Sequence, residues 1–193
     1  MLEILLQSDE KLFLFLNNLG SIRWDGFWLF ITHKWSALPL YLFILIVLYK
    51  NTSRKQFALT LIVIALLITC TDQTANLFKN HFERLRPCNF PFEDRSIANC
   101  GRYGFFSAHA ASAMAFAAFI GSVLKPHFKF LRIFLIFWAL LVGYSRIYVG
   151  VHYPGDVLVG FLFGGCFGMI FYYLLKFFDG NILFKKTPKT QLF

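Results

Sequence analysis

The sequence predicts an all-α protein, an integral membrane helical bundle of about five transmembrane helices with an N-terminal interfacial helix. Three observations carry this. Hydrophobic residues make up 58% of the 193 positions and 26 of them are Phe, with a mean hydropathy of +0.59; an ordinary soluble domain is about 45–50% apolar. Apolar runs long enough to cross a hydrocarbon core recur along the chain. Charged residues, only 15% of the total, collect between those runs. The length suits a single domain, 1–193. The formal net charge of +9 sits at the ends of apolar segments, where it serves lipid head groups and topology rather than nucleic acid.

Residues 1–20 alternate Leu2, Leu5, Leu6, Leu12, Phe13 and Leu16 with Glu3, Gln7, Asp9, Glu10 and Lys11. That is an amphipathic pattern too short to cross comfortably, so it is expected to lie in the interface. The start has no basic leader region, and insertion is expected to depend on internal segments. Residues 24–49 are apolar but interrupted by His33, Lys34 and Pro39. The interruption predicts a short piece to about His33 and then a span, with Pro39 near its first turn. Further spans are expected at 56–78, 107–124, 130–146 and 154–178. The 107–124 segment is Ala-rich, and Gly160 and Gly164 give the last one a GxxxG face for close packing in lipid. Residues 185–193 read as a solvated tail.

Orientation follows from Lys and Arg in the short loops. Lys50, Arg54 and Lys55, then Lys125, Lys129 and Arg132, then Lys176, Lys185, Lys186 and Lys189 mark one side, expected to be cytoplasmic. The 79–106 loop and the 147–153 loop then fall together on the periplasmic or outer side. Cys88 and Cys100 stand 12 positions apart in that outer loop; they form either a disulfide or two unpaired thiols. Cys70 and Cys166 lie within spans and read as packing residues. The histidines lack zinc-ligand spacing, and no metal or other cofactor is expected.

Three stretches read as parts of one phosphate site. In the first, Lys79 and Arg86–Pro87 supply cations; in the third, Arg146 does. Guanidinium groups match phosphate oxygens in bidentate fashion, although for any one of them snorkelling to head groups is the plain alternative. In the second, Ser107 suits a helix N-cap, the free N–H groups after it, Ala108 included, favour an anion, and His109 in the first turn is placed to protonate a leaving oxygen. In the third, His152 precedes Pro154 and Asp156. Asp156 can hold one ring nitrogen of His152 and leave the other as nucleophile; a capping Asp beside an interfacial His is the plainer reading of that pair alone. Their ordered occurrence at loop ends on one expected face favours the joint site.

These residues resemble the type 2 phosphatidic acid phosphatases, the lipid phosphate phosphatases. That family's signature is Lys–x6–Arg–Pro, Pro–Ser–Gly–His and Ser–Arg–x5–His–x3–Asp. The chain carries Lys79…Arg86–Pro87 and Ser145–Arg146…His152…Asp156; its middle motif departs, reading Phe106–Ser107–Ala108–His109. The resemblance implies His152 as nucleophile forming a phosphohistidine, Asp156 orienting it, and His109 as acid and then base. It implies a phosphate, or vanadate in its place, held by Lys79, Arg86, Arg146, Ser107 and the Ala108 N–H, with no metal.

The short loops are similar to those of bacitracin-resistance-type undecaprenyl-diphosphate phosphatases, so a membrane lipid substrate, undecaprenyl diphosphate first, is expected on the outer face of a bacterial inner membrane. Lipid A or phosphatidylglycerophosphate hydrolysis is the alternative. A non-catalytic phospholipid-binding protein and a soluble vanadate haloperoxidase are the other classes; the presence of both histidines counts against the first and the expected spans against the second. His33, His81 and His127 fall outside the motifs and read as surface or interface residues.

Overall fold

The computed structural model describes residues 2–33, 35–90, 95–99, 101–124 and 128–178. Among these its regular secondary structure is all helical, with one isolated bridge. The helices are α1 (Leu2–Asn18), α2 (Ile22–Thr32), α3 (Leu38–Asn51), α4 (Arg54–Phe82), α5 (Ala108–Val123), α6 (Lys129–Tyr148) and α7 (Pro154–Phe178), with a 3-10 turn at Pro87–Asn89. Lys34, Phe92, Cys100, Lys125, His127 and the 185–193 tail lie outside the described residues.

Three helices, Arg54–Phe82, Phe130–Tyr148 and Pro154–Phe178, are long and apolar enough to cross a membrane; Leu38–Asn51 and Ala108–Val123 are shorter apolar helices. Together they form an integral membrane bundle. Leu66 on α4, Phe137 on α6 and Leu162 on α7 stand exposed on its outside, as side chains facing hydrocarbon do. The inner faces of α3 to α7 meet in a core containing Ile44, Leu48, Leu67, Phe119, Ile120, Leu135 and Leu175.

Local sequence sets the ends. The α2–α3 break falls at His33–Ala37, and Pro39 enters the first turn of α3, where its missing N–H costs nothing. Ser53 and Gln56 cap α4 reciprocally in the Ser-x-x-Gln arrangement. α4 ends on Glu83 in the left-handed region, φ 47°. The chain beyond it doubles back, with the Arg86 N–H on the Arg102 carbonyl (3.1 Å) and the Gly104 N–H on the Arg84 carbonyl (2.9 Å).

The tightest seam joins α5 to α7. A Cβ added at Gly160, Gly164 or Gly168 would lie 2.7, 2.1 and 2.5 Å from the carbonyl oxygens of Ser107, Ala111 and Ala115. Only glycine allows this backbone approach, and the Ala-rich face of α5 supplies the other side. α1 packs on the same bundle. Phe13 is fully buried edge-on to Tyr153 (5.4 Å). Asn17, also fully buried, donates to the last carbonyls of α6, Ile147 (3.1 Å) and Tyr148 (2.8 Å).

Candidate active site

α6 ends in a turn at Gly150, φ +81°, and a Cβ there would meet Ser96 Cα at 2.8 Å. The turn delivers His152 to the start of α7, which opens on Pro154. One helical turn on, Asp156 faces back: its Oδ2 lies 3.2 Å from His152 Nδ1 and accepts the Tyr153 N–H at 3.2 Å. Both side chains are buried, 2% and 0% exposed. The pairing orients the ring through Nδ1 and leaves Nε2 outside it. Burial pushes His152 down to about 4 even though Asp156 opposes the shift, and Arg86 and Arg146 push in the same direction. The imidazole is therefore neutral at physiological pH.

The cations come from three elements. Lys79, in the last turn of α4, donates to Asn76 Oδ1 at 3.3 Å. Arg86 is tethered through Nε to the Tyr103 carbonyl at 2.9 Å; burial pulls its pKa down while Asp156 pulls it up. Arg146, in the last turn of α6, donates to Thr32 Oγ1 on α2, and its Nε is buried without a partner among the described residues. A buried donor with no acceptor calls for one, and the chemistry of the surroundings calls for an anion. Lys79, Arg86, Arg146 and His152 all lie close enough to His109 to act on it electrostatically.

Ser107 stands at the N-cap of α5, its Oγ accepting the Ala110 N–H at 3.5 Å and its own N–H bonded to the Asp156 carbonyl at 3.0 Å. That last bond ties the start of α5 to the start of α7. A hydroxyl that accepts in the cap keeps its proton for a ligand. The N–H of Ala108 belongs to the first turn, which has no helical acceptors. His109 follows, exposed, on the wall of a cavity of about 300 Å³. Phe106, where the family has Pro, is fully buried and stacked on Phe163 at 4.9 Å; it anchors the segment leading into the cap. Gly104 presses on the pair, since a Cβ there would lie 2.9 Å from Arg86 Cγ and 3.2 Å from Asp156 Oδ2. Cys88 is disulfide-bonded, whereas Cys70 and Cys166 are free; Cys100 is outside the described residues.

Sequence reasoning missed a charge relay behind Asp156. Arg84 donates to Asp156 Oδ1 (2.9 Å) and to Asp9 Oδ2 on α1 (2.7 Å). Its guanidinium lies over the Tyr153 ring, 4.1 Å from the centroid. Asp9 Oδ1 also accepts the Gly155 N–H at 2.7 Å. The available signal was a third cation between Lys79 and Arg86. A second such network holds α2, where Arg95 pairs with Asp25 at 2.8 Å. His33 is exposed, as a surface or interface residue should be, and it also lines the cavity that His109 lines.

A membrane bundle that buries a His–Asp pair among three cations, with a second histidine at a helix start, defines a phosphatase acting on membrane lipids. The chain belongs to the PAP2 superfamily, which matches residues 57–179. It is similar to a lipid A 4'-phosphatase of Bacteroides thetaiotaomicron, 38% identical over 90% of this chain and 80% of that protein. A second lipid A 4'-phosphatase, from Porphyromonas gingivalis, is 29% identical over 89% of this chain and 74% of its own length. Among solved structures, a transmembrane PAP2-type phosphatidylglycerolphosphate phosphatase from Bacillus subtilis shares the fold. Its TM-score is 0.72 at 23% identity, covering 96% of this chain and 90% of that one.

Proposed function

We propose that this PAP2 phosphatase removes a phosphate monoester from an acylated sugar lipid of the lipid A class, on the periplasmic face of a bacterial inner membrane. The two relatives with that name match along nearly the whole chain. They move lipid A ahead of undecaprenyl diphosphate, the substrate first expected from the short loops. The observation that carries the chemistry is the buried His152, held through Nδ1 by Asp156, with an arginine whose buried Nε has no partner among the described residues acting on it.

In this reading the phosphate sits among Lys79, Arg86 and Arg146, with the Ser107 hydroxyl and the Ala108 N–H completing its cradle. His152 Nε2 attacks phosphorus, and the bond from phosphorus to the lipid oxygen breaks. His109 gives that oxygen a proton. It then takes one from water as the water attacks the phosphohistidine, releasing inorganic phosphate and restoring His152. The cations stabilise the charge that spreads over the equatorial oxygens in both displacements.

The test is phosphate release from hexa-acylated bisphosphorylated lipid A by the purified protein in mixed micelles, with acid-labile phosphohistidine trapped from labelled substrate. His152→Ala should abolish both release and label while the protein still inserts and purifies. Turnover retained by that variant would remove His152 from its role; a native protein inactive on this lipid would remove the substrate.

A further inference from the structure

The cavity beyond His109 is lined by a carboxyl side chain that the mechanism does not use. Asp72 is the one carboxylate of α4 (Arg54–Phe82), and α4 is a candidate membrane span. An ionisable group within a membrane-spanning helix is costly and marks a functional site by default. Asp72 lines the cavity with His109, Thr32, His33 and Ser36. Thr32 is also the partner of Arg146, so the cavity that Asp72 lines also borders one of the phosphate cations. Asp72 precedes Lys79 by seven residues on one helix, which places it about 10 Å deeper along the axis. Below it, Tyr41 and Ser112 are shared with a second cavity of about 320 Å³ lined by Ile44, Leu48, Ile64 and Phe116.

From the phosphate inward, the order is therefore cations, a proton donor, a hydrogen-bond acceptor, then hydrocarbon. We infer that Asp72 is a specificity residue that accepts hydrogen bonds from hydroxyl or amide donors on the leaving group, about one sugar ring from the phosphorus, and that it disfavours leaving groups that are donor-free or carry an anion directly beside the transferred phosphate. The inference rests on the proposed function and deepens it. An acylated amino sugar carries amide and hydroxyl donors at that distance. A polyprenyl diphosphate leaves as an anion on a chain without donors, and a carboxylate in the leaving-group pocket repels it.

A competing role exists. Asn76 donates to Asp72 at 3.3 Å and accepts from Lys79, and the Asp72 charge also acts on Lys79. Asp72 would then serve every phosphate alike. The two roles separate in a ratio.

The experiment measures kcat/KM for the native protein, Asp72→Asn and Asp72→Leu on bisphosphorylated lipid A and on farnesyl diphosphate in the same micelles. A buried site that recognises donors discriminates by about 10–100-fold per lost partner. Asp72→Leu should therefore lower the lipid A to farnesyl diphosphate ratio by at least tenfold, with Asp72→Asn, which keeps the volume and one acceptor oxygen, in between. An unchanged ratio, whether both activities fall together or neither moves, overturns the inference and leaves the proposed function standing. A native protein inactive on lipid A ends both.

Discussion

Replacing Arg84 with Met tests whether the nucleophile is held in place from α1. The variant keeps an apolar stem against Tyr153 and deletes both ion pairs, to Asp156 at 2.9 Å and Asp9 at 2.7 Å. Removing one partner of a buried pair costs about 3–5 kcal/mol. Here the Arg84 side chain is 18% exposed, and Asp156 keeps His152 and the Tyr153 N–H, which reduces the expected cost to about 2 kcal/mol. If that loss appears as freedom of Asp156, and through it of the imidazole, kcat falls about 30-fold at tenfold per 1.36 kcal/mol. KM should hold, because Arg84 does not touch the phosphate in this reading. Arg84→Lys should recover part of the rate. Asp9→Asn should cost about threefold, since the amide oxygen still meets Gly155. The double variant should match Arg84→Met alone, because Asp9 acts through Arg84. Phosphate release under saturating lipid, normalised to folded protein by size exclusion, measures all four. A native kcat in Arg84→Met, or losses that simply multiply in the double variant, would refute the relay.

Arg146→Lys should reduce kcat on lipid A by about 10²–10³, the usual cost of one lost donor to developing charge, because an ammonium cannot supply both the Thr32 contact and the buried Nε–H; steady-state kinetics decide it. Gly164→Ala should lower the melting temperature in detergent and the activity, since its Cβ would sit 2.1 Å from a backbone carbonyl. Gly165→Ala, with its nearest neighbour 3.9 Å away, should be silent. The depressed pKa of His152, about 4 against an ordinary 6.5, has a definite sign. Its stabilising contribution is full above pH 6.5 and is lost as pH falls toward 4, because only the unfolded chain takes up the proton there. This amounts to about 3 kcal/mol over that window, so chemical unfolding should show a weaker acid dependence in His152→Gln than in the native protein.

The fold was legible wherever a local rule sufficed. The spacing of His152, Pro154 and Asp156 implies a histidine just outside a helix whose first turn returns a carboxylate to it. Ser107 ahead of an Ala-rich run reads as a cap, and a GxxxG pair as a packing face. The lipid was read less well than the reaction, since minimal loops carry no information about a head group. Arg84 was passed over because the Lys–x6–Arg interval treats it as filler. Its partner Asp9 lies 75 residues earlier on a helix whose acids look solvent-facing by periodicity alone. No local pattern reports a contact at that separation. Asp72 was hidden for the opposite reason: one acid within a strongly apolar run does not disturb the hydropathy that identifies the run.

The glycine seam between α5 and α7 makes one rigid body of the two histidines. His109 rides on the first helix and His152 leads into the second, and their separation is set by main chain against main chain, with no side-chain rotamer to absorb an error. Whatever gives way to admit a bulky amphiphile must then lie elsewhere, in outer pieces such as α3, whose Tyr41 lines the cavity beside His109. The catalytic spacing can stay constant while those outer pieces are exchanged, so one reaction can be refitted to many lipids without disturbing the anvil on which the phosphorus is struck.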